Sequence, residues 1–234
     1  MTVLSDRTAL DVWEAGSTRH PLDRRLVLLA GANPHASIED LAALDVQQRD
    51  RALLEIRRDT FGDTFELQAS CDRCGIALEF EASAEALMEL APATDPAVDS
   101  AEWHVEFRLP NSIDLASAIT DGDDLFAVCV TKAHRAGEAA AVEEIPVSVR
   151  AQVEDAMAAL APASDIEFAV ICEECQTETI LPFDAGEILW REVSMQARRL
   201  LTEIVMLARA FGWDESQILA LSPGRRRTYL EAVS

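Results

Sequence analysis

The sequence lacks the long apolar runs and the basic excess that would point to a membrane or to nucleic acid. No apolar run reaches the roughly 18 residues that a membrane span requires. No basic segment leads into an apolar one near Met1, so we expect no secretory signal and a cytoplasmic protein. Lys and Arg number 20 against 42 Asp and Glu. The net charge of −22 disfavours nucleic acid as a partner, because phosphate binding is driven by basic side chains that displace counterions.

Signatures of catalysis are missing as well. The chain has no phosphate-binding glycine loop, no Gly-x-Ser-x-Gly elbow and no paired-carboxylate arrangement. Its four histidines are isolated and show no ligand spacing. Residues 121–124 resemble part of a calcium loop but lack the glutamate at its twelfth position, so we predict a turn that caps a helix. We therefore expect no enzyme activity and no small-molecule substrate.

An offset of 101 residues reveals an internal repeat. It aligns Cys71 with Cys172 and Cys74 with Cys175, and the apolar positions around these cysteines align at the same offset. Each half then reads as two helices, a strand, a Cys-x-x-Cys turn and a return strand. The predicted ranges are about 22–31, 46–59, 64–70 and 76–82 in the first half, and about 123–135, 147–160, 165–171 and 178–183 in the second.

The pattern predicts an α+β fold with a duplicated helix-helix-hairpin unit, a pseudo-twofold four-cysteine zinc ribbon and a helical C-terminal extension. We divide the chain into a first repeat at 1–90, a linker at 91–102, a second repeat at 103–186 that opens with a strand, and a helical tail at 187–234.

Two Cys-x-x-Cys turns predict one structural zinc ion per chain, with the ligands Cys71, Cys74, Cys172 and Cys175. Four thiolates complete a tetrahedral site with no position open to a substrate. Closing the 97-residue loop between the pairs, instead of one of about 17, costs only about 1.5 kcal/mol more. The alternatives are reduced turns without metal, disulfides, which the cytoplasm disfavours, and a redox motif, which is typical of a helix start. Cys129 lies in an apolar run and is predicted to be a buried core residue.

The last 44 residues differ from the rest in charge. Residues 191–234 contain seven Arg and five acidic residues, a net charge of +2, so the preceding 190 residues carry a net charge of −24. The pattern predicts a helix over 187–211, a short helix to about 221 and a last helix from 222 onward. This tail either packs on the acidic body or docks a partner through the residue types that anchor interfaces. The candidate docking residues are Trp213, Arg225, Arg226, Arg227 and Tyr229.

The C-terminal stretches 207–213, 218–221 and 225–230 resemble the signature of phage baseplate proteins related to the T-even-type baseplate hub assembly chaperones. Residues 20–24 and 57–62 and Trp13 add to the resemblance. It implies a non-enzymatic assembly factor or chaperone for the baseplate of a contractile phage tail or phage-tail-like injection system, with baseplate proteins as partners. The alternatives are a permanent structural subunit of the baseplate and a zinc-ribbon regulator that binds DNA through the tail, which the charge disfavours.

Overall fold

The computed structural model describes residues 3–93 and 95–233, and within them the chain forms eleven α-helices and eight β-strands. The helices are α1 (Asp6–Gly16), α2 (Pro21–Ala32), α3 (Ile38–Ala43), α4 (Val46–Phe61), α5 (Ala84–Met88), α6 (Ser112–Thr120), α7 (Leu125–Cys129), α8 (Val147–Leu160), α9 (Ala185–Phe211), α10 (Glu215–Leu219) and α11 (Pro223–Glu231). The strands are β1 (Thr64–Ser70), β2 (Ala77–Ser83), β3 (Ala97–Ser100), β4 (Trp103–Phe107), β5 (Val130–Arg135), β6 (Glu138–Ala139), β7 (Ile166–Ile171) and β8 (Glu178–Phe183). The mixture of helix and sheet agrees with the predicted α+β class.

One apolar cluster is built by α1, α2, α4 and the first half of α9. Leu28, Leu29, Leu53, Leu189 and Val193 are all fully buried in it. Each such side chain contributes about 1.5–3 kcal/mol relative to an exposed one. This cluster fixes the orientation of α4 and therefore the position at which β1 begins.

Two separate antiparallel hairpins, β1–β2 and β7–β8, lie side by side. The ring of Phe183 meets Phe65 edge-on at 5.1 Å and Phe168 at 5.5 Å, and Phe80 meets Phe168 at 5.4 Å. Aromatic pairs of this kind contribute about 0.5–1.5 kcal/mol each beyond burial. The contacts of Phe65 with Phe183 and of Phe80 with Phe168 join the two hairpins, so their cysteine-bearing tips lie close together.

The order helix, strand, turn, strand occurs twice, as α4–β1–β2 and as α8–β7–β8, at an offset close to 101 residues. Upstream of these units the halves differ. The predicted helix at 123–135 is wrong beyond Cys129, where α7 ends and β5 begins. The reason is tertiary: β5 pairs with β4, with Ala133 opposite Val105, and this satisfies backbone groups that local propensity does not count. A common origin of the two halves stays a prediction.

The four strands β3 to β6 form an antiparallel meander in chain order. Its β3 strand lies within the predicted linker at 91–102 and pairs with β4, with Val98 opposite Val105. The buried face of the meander packs on α8 through Val149 and Val153. The predicted linker is therefore ordered by sheet pairing in its second part.

Helix α9 is shared between the body and the C-terminal elements. It begins after Asp184, whose side chain accepts from the amide of Glu187, and it ends at Gly212 with φ +71°. Its first half belongs to the cluster with α1, α2 and α4, and its second half packs on α10 and α11. The predicted division at residue 187 thus falls inside the first turn of α9. None of the helices in the described ranges combines the length and the apolarity needed to cross a membrane.

Candidate metal centre

The tips of the two hairpins bring four cysteine sulfurs together. The Sγ atoms of Cys71, Cys74, Cys172 and Cys175 all lie within 4.8 Å of one another. The two short contacts each join one turn to the other: Cys71 to Cys175 at 3.5 Å and Cys74 to Cys172 at 3.6 Å. The 101-residue offset converts one contact into the other, so the two turns contribute to the cluster in the same way.

The backbone of the two turns repeats at the same offset. The amide of Cys71 donates to the carbonyl of Ile76, and that of Cys172 to Thr177, both at 2.9 Å. Gly75 donates to Cys71 and Gln176 to Cys172, again at 2.9 Å. Matching hydrogen bonds give both turns the curvature that turns their two sulfurs toward one point.

Gly75 and Gln176 occupy equivalent places with left-handed backbone, at φ +72° and +57°. Glycine adopts this conformation without strain, whereas glutamine rarely does. The side chain of Gln176 offsets part of that cost by donating to the carbonyls of Glu173 at 2.9 Å and Cys172 at 3.4 Å. The second turn therefore keeps the shape of the first without its glycine.

The surroundings prepare the sulfurs unequally for deprotonation. The hydroxyl and the amide of Thr177 lower the pKa of Cys175 to about 6. The amides of Cys74 and Arg73 also lower the pKa of Cys71. The amide of Ile76 acts in the same direction on Cys74, but burial and hydrogen bonds from the other three cysteines outweigh it and raise the pKa of Cys74 to about 12. Four thiols this close cannot all lose their protons without a cation among them.

The geometry fits a metal ion better than a disulfide. A disulfide needs sulfurs about 2.05 Å apart, and all five cysteines of the chain are free. A tetrahedral metal with sulfur bonds of about 2.3 Å separates its ligands by about 3.8 Å, which lies within the observed range. Cys71 and Cys172 are buried and Cys74 is exposed, so the cluster has one side open to solvent. The predicted ligand set can therefore hold a metal ion.

Cys129 lies apart from this set and is buried, and burial raises the pKa of its thiol.

The structure separates the predicted docking residues of the tail. Arg226 points inward and is 2% exposed, with its guanidinium bound to Asp6 at 2.5 Å and Glu203 at 2.7 Å. It is therefore not available to a partner. Arg225 and Arg227 are exposed and form no ion pair within the described ranges.

The aromatic members of that set contact each other. Trp213 stacks on Phe211 at 4.6 Å and meets Tyr229 edge-on at 4.9 Å. Both Trp213 and Tyr229 are half-buried. Docking through the residues other than Arg226 stays a prediction.

Sequence reasoning missed the residues that support the hairpins from outside the turns. Arg57 forms a bidentate pair with Glu192, at 3.1 and 2.7 Å, and lies 4.0 Å from the ring centroid of Phe65. No sequence signal links positions 135 residues apart. Gln176 did carry a signal, because the 101-residue offset aligns it with Gly75.

Fold and site together define an α+β protein whose two hairpins carry a four-cysteine cluster that can hold a metal ion. The family described as T4 bacteriophage base plate protein matches residues 33–190. Because this range is more than half of the 234 residues, the chain belongs to that family. The range spans all four cysteines and ends before the C-terminal stretch that carried most of the resemblance. The comparisons with curated proteins and with solved structures gave no match.

Proposed function

We propose that this protein is a non-enzymatic assembly factor for the baseplate of a contractile phage tail or phage-tail-like injection system. The match to the phage base plate family over residues 33–190 carries the proposal. In this role the protein acts in the cytoplasm, binds other baseplate proteins and leaves the finished particle. The main alternative is a permanent structural subunit of the same baseplate.

We also propose that the cysteine cluster holds one structural zinc ion per chain. Four thiolates in tetrahedral arrangement are the donor set that zinc and iron favour. A site with four protein ligands has no open position, so it contributes folding energy rather than chemistry. Since the short sulfur contacts run between the hairpins, zinc would connect the two halves of the chain.

Elemental analysis of the purified protein tests the zinc. We expect about one zinc per chain. The variant Cys71→Ser should lower both the zinc content and the melting temperature, because removing one thiolate opens the coordination shell. Cys129→Ala removes a buried thiol outside the cluster and should leave the metal content unchanged. Iron in place of zinc, or an unchanged metal content in Cys71→Ser, would refute the assignment.

The role in assembly is tested by deleting the gene in the producing cell. Electron microscopy should then show tails without baseplates, and a plasmid copy should restore them. Mass spectrometry of purified particles separates the two roles. An assembly factor is present in the lysate and absent from the particles, whereas a structural subunit is found there in fixed ratio to the other baseplate proteins. Normal tails after deletion would contradict both roles.

A further inference from the structure

The outward face of α9 differs in charge from the rest of the protein. Its inward face is apolar, with Leu189, Val193, Leu200, Ile204 and Leu207 all buried. On the opposite side, exposed residues recur at alternating spacings of three and four, which places them in one line along the helix. We call these residues the α9 stripe: Met195, Arg198, Thr202, Val205 and Arg209. At 1.5 Å per residue the stripe is about 21 Å long.

Apolar side chains lie exposed on and beside the α9 stripe. Met195 is 58% exposed and Val205 is 47% exposed. Leu201 and Met206, which flank the stripe, are 36% and 37% exposed. Leu201 and Val205 lie four residues apart, a spacing at which apolar side chains anchor one helix on another.

The same face carries positive charge that the protein itself does not balance. Arg198 and Arg209 form no ion pair among residues 3–93 and 95–233. The two acidic residues of this part of α9 turn away from the stripe. Glu192 is bound by Arg57, and Glu203 is bound by Arg226 and lies 3.5 Å from Arg199. A protein with a net charge of −22 thus presents one apolar and basic helix face.

We propose that the α9 stripe is a docking surface for an acidic amphipathic helix of a partner protein. Such a helix would cover the exposed Met195 and Val205 with its apolar side and pair its carboxylates with Arg198 and Arg209. A second copy joined symmetrically through α9 fits less well, because both stripes are basic and neither carries an acidic residue to balance them. The proposal deepens the proposed function and rests on it for the statement that the partner is a baseplate protein.

A designed peptide tests the surface on the full-length protein. The probe is a fluorescent 21-residue helix with leucine at heptad positions a and d and glutamate at e and g. A second peptide carries lysine at e and g. Fluorescence anisotropy should give at least tenfold tighter binding of the glutamate peptide. The variant Arg198→Glu/Arg209→Glu should lose at least tenfold in affinity. The variant Arg225→Glu/Arg227→Glu makes the same change at the two exposed arginines of α11, the other candidate docking surface, and should bind within twofold of the wild type if the α9 stripe alone holds the peptide.

Circular dichroism of both variants should match the wild type, because all four arginines are exposed. Equal loss in the two variants, or loss in the α11 variant alone, overturns the proposal. Tighter binding of a DNA duplex than of the glutamate peptide also overturns it. The proposal is also overturned if the wild type sediments as a dimer and only Arg198→Glu/Arg209→Glu dissociates this dimer, since a second copy would then be the occupant.

The deletion strain separates failure of this surface from failure of the proposed function. Arg198→Glu/Arg209→Glu should not restore baseplates. If this variant restores them fully while the empty plasmid does not, the surface is refuted and the assembly role stands. If deletion leaves tails normal, the assembly role is refuted, and the peptide measurement still decides whether the stripe binds an acidic helix.

Discussion

The buried arginine of the last helix offers the sharpest test of how the C-terminal elements belong to the fold. Arg226 connects three helices, because it reaches from α11 to Asp6 on α1 and to Glu203 on α9. Burial lowers its pKa, but the hydrogen bonds that it donates to Asp6 and Glu203 outweigh burial and raise the pKa above the ordinary value. The guanidinium therefore stays charged, and its removal leaves two carboxylates without a counterion.

We expect Arg226→Ala to destabilise the attachment of α11 by about 3 kcal/mol. Removing one partner of a buried ion pair costs about 3–5 kcal/mol. The lower end applies because the side chains of Asp6 and Glu203 are each 19% exposed and keep part of their hydration. Arg225→Ala is the matched control, since this neighbour is exposed and should change stability by less than about 0.5 kcal/mol.

Hydrogen exchange read by mass spectrometry measures this difference in α11 itself. A loss of about 3 kcal/mol raises the exchange rate of protected amides in residues 223–231 by about 150-fold when local opening limits exchange. A double-mutant cycle with Asp6→Ala should give a coupling of more than about 1 kcal/mol. Equal exchange in Arg226→Ala and Arg225→Ala would show that the ion pair does not attach the helix, and the reasoning would fail.

Two further predictions concern a tight contact and a surface pair. A Cβ added at Gly16 would lie 2.6 Å from the buried ring of Trp190, so Gly16→Ala should cost about 1–3 kcal/mol in urea unfolding. Gly224→Ala, which meets open space in a helix, should instead be stabilising. The hydrogen bond that the ring of His104 donates to Asp99, 2.7 Å away, raises the pKa of His104, and Asp99→Asn should lower this pKa in an NMR titration. Because the folded-state pKa is raised, the pair stabilises the fold at low pH and loses this contribution as pH rises through that pKa. An unchanged titration, or equal effects at the two glycines, would contradict these expectations.

Much of the architecture was predictable from local pattern. The alternation of apolar and polar residues predicts β1 within its observed bounds, and helical periodicity predicts α8 and most of α9. Gly212 ends α9 as expected of a residue that tolerates left-handed backbone. The four ligand candidates followed from spacing and the repeat, because a matched Cys-x-x-Cys at one offset is a pattern that chance rarely produces.

Other features depend on partners far away in the chain, which a local pattern does not specify. Residues 130–135 become β5 because β4 offers an edge to pair with, although the sequence pattern predicts that the preceding helix continues to residue 135. Consecutive positions on a helix point about 100° apart, so three consecutive arginines cannot all face one surface. Packing against α1 and α9 decided that Arg226 is the one that is buried.

The sequence by itself therefore determined the two helix-and-hairpin units, the C-terminal helices and the four cysteines, since these depend on periodicity and spacing within short segments. The tertiary structure alone decided how the elements meet. It placed Cys71 against Cys175 and Cys74 against Cys172, paired Glu192 and Glu203 of α9 with arginines of other helices, and left Arg198 and Arg209 exposed. The physical reason is that burial and ion pairing depend on the separation of groups in space, which becomes defined only when the helices and hairpins pack.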